Sequence, residues 1–309
     1  MRKKIEMRKN TENITVGQAM EFFIRKCVAD NLSDYTIKAY KKKCAEFIEM
    51  LGEDTKVSEI GPHVIDEFVI DVRERDISDI TVQTIVRHVR AFVYYCMDCG
   101  YVTRFKIRVP KADKPLKDIY TKEELQMLLV TGKPNAKKCT FSEYKTWVFE
   151  NYLYGTGNRL STALNVKIKD IDFDNYSIRL IHNKNRKQQI IPLSPQLAVI
   201  LQEYLQIRGG EADDYLFCNE YGEQASDRTY QQLVRRYNIK RNVNRTSCHS
   251  FRHTFATDYI RNNGNVVRLQ KIMGHASLST TNEYLQMLGL DVQSDFDVFS
   301  PLDNLSGRR

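Results

Sequence analysis

Apolar residues recur at three- and four-residue steps through the first third of the chain. In YTIKAYKKKCAEFIEML, Ile37, Tyr40, Cys44, Phe47, Ile48 and Leu51 fall on one stripe, the pattern of a helix with a single buried face. Gly52 stops it, and Lys38, Lys41, Lys42 and Lys43 lie off the stripe. Pro62 opens GPHVIDEFVIDVRER at a place suited to the first helical residue. In DITVQTIVRHVRAFVYYCMDCG the stripe returns as Val82, Ile85, Val89, Phe92 and Cys96, with Gly100 at its end and Arg87 and Arg90 facing away. Residues 15–102 are therefore expected to form an all-helical unit of about four helices.

The periodicity breaks at TRFKIRVPKADKPLKDIY, residues 103–120, which holds Pro110 and Pro115 and is dense in lysine and arginine. That composition predicts an extended linker. A second domain is expected over 121–290. Helical patterns dominate it (KTWVFENYLY, RLSTALNV, SPQLAVILQEYL, SDRTYQQLVRRY, SFRHTFATDYI), and YSIRLI and QQIIPL flank HNKNRK as a β-hairpin. LQKIMGH predicts a helix stopped at Gly274. Thr280 followed by Glu283 predicts a helix opened by a capping box, with Tyr284 near its first turn. The fold class expected is mainly α: an all-helical N-terminal domain and a mixed α/β catalytic domain, mostly helical with a small antiparallel sheet. Residues 1–14 read as a basic arm and 291–309 as a tail.

Length changes this picture little: 309 residues suit two domains. The net charge of +8 favours an anionic partner, nucleic acid above all. The seven cysteines are odd in number and scattered, as reduced thiols in a reducing compartment would be. Cys96 and Cys99 form a CxxC with no second pair to complete a zinc site. KDIDFDN carries Asp170, Asp172 and Asp174 at alternate positions, but Asn175 and Ile181 stand where a calcium loop needs glycine and glutamate. It reads as a turn before the hairpin, and no metal is expected. No apolar run is long enough to span a membrane, and no signal peptide opens the chain. A cytoplasmic protein is expected.

Four places in the second domain carry chemistry in order: GTGNRLSTAL with Arg159, HNKNRK with Lys184, CHSFRHTFATDYI with His249 and Arg252 three apart, and GHASLSTTNEY with His275 and Tyr284. Singly, each has a structural alternative: a helix cap, a solvated hairpin tip, a satisfied histidine, a packed tyrosine. Jointly the order Arg, Lys, His-x-x-Arg, Gly-His, Tyr resembles the tyrosine recombinases, or phage-type integrases. The resemblance covers the second domain nearly end to end, and the helical unit is similar to that family's core-binding domain.

The resemblance implies six active-site positions: Arg159, Lys184, His249, Arg252, His275 and Tyr284. Tyr284 would attack a DNA phosphodiester and form a 3′-phosphotyrosine bond. Arg159 and Arg252 would clamp the non-bridging oxygens. His249 is implied as base or proton relay, Lys184 as the acid for the leaving 5′-oxygen, and His275 as a phosphate hydrogen-bonder. Lys187 is an alternative to Lys184, and no metal or nucleotide cofactor is implied. The sequence departs from the family at Thr162, where an acidic residue is usual. His253, next to Arg252, reads as structural.

Lys41, Lys42, Arg87, Arg90, Arg228, Arg235 and Arg236 are the candidate DNA contacts, with a solvated surface as the alternative. The resemblance implies two domains forming a C-shaped clamp on duplex DNA and a tetramer on paired sites. Its tail, with Val292, Phe296, Val298, Phe299 and Leu302, would dock on a neighbouring protomer. The N-terminal arm is too short for a separate arm-binding domain, which points to a two-domain enzyme of the Xer or transposon type. A tyrosine-type topoisomerase and a non-catalytic DNA-binding regulator are the rival functions.

Overall fold

A computed structural model of the chain describes residues 14–113, 117–181, 188–219, 221–275 and 277–288, with backbone alone at 279 and 286–288. The chain divides into two units, residues 1–115 and 116–309.

The first unit is built from α1 (Val16–Ala29), α2 (Asp34–Leu51), a single 3-10 turn, α3 (Pro62–Glu74) and α4 (Asp79–Asp98). Thr15, Ser33 and Ser78 cap α1, α2 and α4 by accepting a backbone N–H, which satisfies donors that a helix start leaves open. The apolar stripes meet in one core containing Phe23, Phe47, Phe68 and Phe92. Burying a phenylalanine this fully stabilises a fold by about 2–3 kcal/mol. Cys96 sits in that core and Cys99 caps α4; all the cysteines are free thiols.

The stretch expected as a linker is not a bare tether. Ile107 is buried in the first core, Phe105 and Val109 pack against it, and Gln83 Nε2 donates to the Pro110 carbonyl at 2.9 Å. Residues 103–113 lack regular secondary structure, but their alternate apolar side chains hold them against the helices. Tyr120, at the far end of the same stretch, is buried in the second core.

In the second unit, α5 (Lys122–Leu125) runs into a π-helical turn (Gln126–Val130), followed by α6 (Phe141–Thr156) and α7 (Leu160–Leu164). Strands β1 (Ile171–Asp172), β2 (Ser177–Leu180) and β3 (Gln189–Pro192) form an antiparallel sheet in that order, with Ile178 opposite Ile191 and Leu180 opposite Gln189. Then come α8 (Pro195–Arg208), α9 (Asp227–Lys240), α10 (Cys248–Arg261), α11 (Val266–Met273) and α12 (Leu278–Leu288). Helix α6 packs against α8, α9 and α10. Tyr144, Trp147, Val148, Phe149, Tyr152 and Leu153 are all buried on it, because a helix packed against several others buries more than one face. β1 went unread in the sequence, being two residues long. Its last residue, Asp172, accepts from the Asn175 N–H at 2.9 Å, a turn as expected, and the described residues hold no cluster of potential metal ligands. No described helix is long and apolar enough to cross a membrane.

Glu150 is the anomaly of this core. It is fully buried on α6, and neither carboxylate oxygen has a hydrogen-bond partner among the described residues. Burial raises its pKa well above the ordinary value of 4.5. An acid with a raised folded-state pKa costs nothing below its unfolded value, and its cost grows as pH rises above it. Glu150→Gln should therefore melt higher than wild type near pH 8, by about 2–4 °C per kcal/mol recovered, with the gain shrinking toward pH 5. A variant that melts lower than wild type near pH 8 would contradict this.

Candidate active site

The GTGNR stretch turns the chain out of α6. Gly157 ends that helix at φ +63°, a left-handed conformation that suits glycine. Asn158 is buried and donates to Tyr152 Oη at 2.8 Å. Arg159 then lands at the N-cap of α7. A Cβ on Gly157 would lie 2.2 Å from Phe255 Cδ1. Gly157→Ala should cost more than about 1 kcal/mol from its backbone conformation alone and should displace Arg159. A thermal melt together with a DNA-cleavage assay checks both effects.

Arg252 projects from α10 and is only 3% exposed. Its Nη1 donates to the Gly157 carbonyl at 2.6 Å and its Nη2 to the Met273 carbonyl at 2.8 Å, so one guanidinium ties α10 to the ends of α6 and α11. Nη2 also lies 2.8 Å from His275 Nε2. Arginine can only donate, so His275 accepts at Nε2 and donates from Nδ1 to Thr281 Oγ1 at 2.8 Å. Burial, then Arg252 and Arg159, bring the His275 pKa down to about 4, consistent with a neutral ring of that tautomer. Burial, then Arg159, bring Arg252 down to about 10, leaving it charged at neutral pH.

Gly274 ends α11 at φ +60° and turns His275 toward this cluster. The next helix begins earlier than the capping-box pattern indicated. α12 opens at Leu278, so Thr280 lies inside it and Tyr284 in its second turn. A small apolar group of Ala256, Ile260, Leu269 and Met273 buries the tyrosine ring to 2% exposure. The His275 ring is parallel to it, with centroids 6.4 Å apart. Tyr284 Oη lies 2.9 Å from His253 Nδ1. Burial raises the tyrosine pKa, while the Arg252 and Arg159 charges oppose that rise.

His249 stands near the start of α10, an exposed residue whose ring is edge-on to His253 with centroids 4.9 Å apart. Desolvation, followed by Arg252, Arg159 and Lys117, lowers its pKa. The structure thus brings Arg159, His249, Arg252, His275 and Tyr284 to one site. Lys184, with its alternative Lys187, lies outside the described residues. The strands leading to that stretch reach the site's edge: Gln189, the first residue of β3, donates from Nε2 to the Ile272 carbonyl of α11 at 2.8 Å.

The profile of the phage integrase family matches residues 120–288, which contain Arg159, His249, Arg252, His275 and Tyr284. The chain belongs to the phage integrase family. A tyrosine recombinase of Pseudothermotoga lettingae is 27% identical over 282 residues, covering 88% of this chain and 93% of that protein. The tyrosine recombinase XerD of Staphylococcus epidermidis is 25% identical over 286 residues, covering 89% and 95%. The fold is that of the Tn1549 transposon integrase solved with circular intermediate DNA, at a TM-score of 0.69 and 22% identity over 88% of this chain and 95% of that one. It is also that of a lambda integrase dimer bound to a core site, at a TM-score of 0.71 and 15% identity over 91% and 80%. This member of the family is an enzyme of the tyrosine recombinase type, whose members break and rejoin DNA strands.

Two residues of this integrase-family site escaped the sequence. His253, expected to be structural, holds the tyrosine hydroxyl. Its i, i+4 spacing from His249 was the available signal. Lys117 sits 3.7 Å above the Tyr284 ring centroid and pairs with Glu283 at 3.0 Å. Nothing marked it out among the basic residues of the 103–120 stretch. It is placed by Tyr120, which stacks on Phe251 with centroids 4.2 Å apart and donates its N–H to Thr254 Oγ1 at 2.8 Å.

Of the candidate DNA contacts, Arg228, Arg235 and Arg236 are exposed on α9, whose other face buries Tyr230, Val234 and Tyr237. Lys41, Lys42 and Arg87 are exposed on the first unit, while Arg90 is half-buried against Tyr94.

Proposed function

We propose that this protein is a site-specific recombinase that cleaves and rejoins double-stranded DNA through a covalent 3′-phosphotyrosine at Tyr284. The observation that carries this reading is the placement of a buried tyrosine hydroxyl among two guanidinium groups and three imidazoles within one unit. As a nucleophile attacks a phosphodiester, negative charge builds on the non-bridging oxygens. Arg159 and Arg252 supply fixed positive donors for it, in a site shielded enough to strengthen them. Arg252 is already anchored on two backbone carbonyls, so little reorganisation accompanies the reaction. His275, kept neutral by burial beside Arg252 and Arg159 and oriented by Thr281, sits against Arg252 and steadies it. Lys184 is the group proposed to protonate the leaving 5′-oxygen. A 5′-hydroxyl from a second strand then attacks the phosphotyrosine and releases the enzyme.

The relatives' names and the DNA seen with structural neighbours support DNA as the partner. The exposed arginines of α9 and the lysines of α2 would contact phosphates, which demand charge more than geometry. A tetramer on paired sites, with the tail of residues 291–309 passing between protomers, and action in the cytoplasm complete the proposal.

The test places two copies of the DNA flanking the protein's own gene on one supercoiled plasmid. Recombinant junctions should form with the purified protein. Relaxation of a plasmid lacking those copies, with no junctions from the plasmid carrying them, would favour a topoisomerase instead. DNA binding with neither reaction would favour a regulator.

A further inference from the structure

We infer that His253, rather than His249, takes the proton of Tyr284 as the tyrosine attacks DNA and returns it when the strand is rejoined. The inference rests on the function proposed above and deepens it.

The geometry is direct. His253 Nδ1 is 2.9 Å from Tyr284 Oη, within the reach required of a general base. The His249 ring packs edge-on against that of His253, with 4.9 Å between ring centroids. His253 follows Arg252 on α10, so the residue that grips the phosphate and the residue that faces the nucleophile are fixed by the same helix. The tyrosine needs such a group. Its pKa is raised by burial, so it stays protonated at rest and must lose its proton during the attack.

The surroundings favour a neutral imidazole. His249 and Arg252 face His253 from its own helix, Lys117 and Asp118 from the segment before α5, and Tyr284 from α12. Burial first, then His249, Lys117 and Arg252, hold its pKa down to about 4, with Asp118 in opposition. A ring that is neutral at physiological pH has an acceptor nitrogen. A DNA phosphate seated on Arg159 and Arg252 would offset those cations and raise the affinity of His253 for a proton at the moment it is needed.

The step balances. Oη bonds to phosphorus as its proton moves to Nδ1, making an imidazolium. The bond from phosphorus to the 5′-oxygen breaks, and that oxygen takes a proton from the acid. In rejoining, the 5′-hydroxyl attacks, its proton goes to the acid, the phosphorus–Oη bond breaks, and Oη recovers its proton from His253.

Two measurements test this. The first needs no DNA: ring-nitrogen NMR on protein labelled at its six histidines, with His253 assigned from the His253→Gln spectrum. A neutral ring near pH 7 with a bare Nδ1 is expected. A proton on Nδ1, or a charged ring at that pH, would overturn the inference.

The second is single-turnover cleavage of nicked duplexes tiled from the DNA flanking the gene. Melting and mobility shift check that each variant folds and binds. His253→Ala and His253→Gln should both slow cleavage about 100-fold or more, the usual scale of a general base. A 5′-bridging phosphorothiolate, whose sulfur leaves without a proton, should rescue Lys184→Ala but not the His253 variants. Cleavage by His253→Gln near the wild-type rate would reduce the residue to a hydrogen-bonding support, and rescue by the thiolate would place it on the leaving-group side. Either result overturns the assignment. Wild-type protein that forms no adduct with any duplex counts against the proposed function, and the ring-nitrogen result then decides the His253 question separately.

Discussion

Replacing Tyr284 by phenylalanine should abolish the covalent protein–DNA adduct while leaving the protein folded and able to bind DNA. The ring packs among Ala256, Ile260, Leu269 and Met273, and phenylalanine fills that space almost unchanged. Only the hydroxyl is lost, and with it one hydrogen bond, to His253. Such a bond contributes about 1 kcal/mol to stability, so the melting temperature should fall by a few degrees at most. The Lys117 ammonium keeps an aromatic face beneath it. The chemistry, in contrast, would lose the nucleophile proposed for it. A denaturing gel of wild type and variant on the same nicked duplex reads the outcome: a slow band for wild type and none for Tyr284→Phe. An adduct in the variant would move the nucleophile elsewhere.

Arg252→Lys should be the next most damaging change to cleavage. Arg252 makes two short bonds to the carbonyls of Gly157 and Met273 and a third to His275. A lysine has a point charge and no planar fork, so it cannot face those carbonyls and two phosphate oxygens together. Loss of one oriented donor to a developing charge costs about 10²–10³ in rate. Arg252→Ala goes further and leaves two buried carbonyls and the half-buried His275 Nε2 without their partner, at about 1–3 kcal/mol for each buried acceptor left unsatisfied. The pair separates two roles. The lysine variant should lose rate with a modest change in melting temperature, whereas the alanine variant should lose both. Equal cleavage by Arg252→Lys and wild type would show that the guanidinium is not a clamp.

What was legible followed from how each signal is written in the chain. The stripes of α2 and α4 were plain because one buried face forces a helical period, and the β2–β3 hairpin because its strands alternate between core and solvent. The candidate site residues were legible through the resemblance to the tyrosine recombinases, which rests on the order Arg, Lys, His-x-x-Arg, Gly-His, Tyr along the chain. The start of α12 was misplaced because Thr280 and Glu283 imitate a cap, while the chain turns earlier to bring Thr281 under His275. Residues 103–113 misled because Pro110 and four basic residues, Arg104, Lys106, Arg108 and Lys111, outnumber the three apolar residues that pin them to the first core. Lys117 and His253 were missed for a shared reason. Their partner, Tyr284, is distant in sequence, and contact across that distance depends on how α10, α12 and the segment before α5 pack.

The central claim is a phosphotyrosine at residue 284, and peptide mapping of the adduct tests it most directly. The trapped complex is digested with protease and nuclease, and the modified peptide is sequenced by mass spectrometry. The account predicts a nucleotide joined through its 3′-phosphate to the peptide containing Tyr284, on the tyrosine itself. A nucleotide on any other residue, or one joined through its 5′-phosphate, would contradict it.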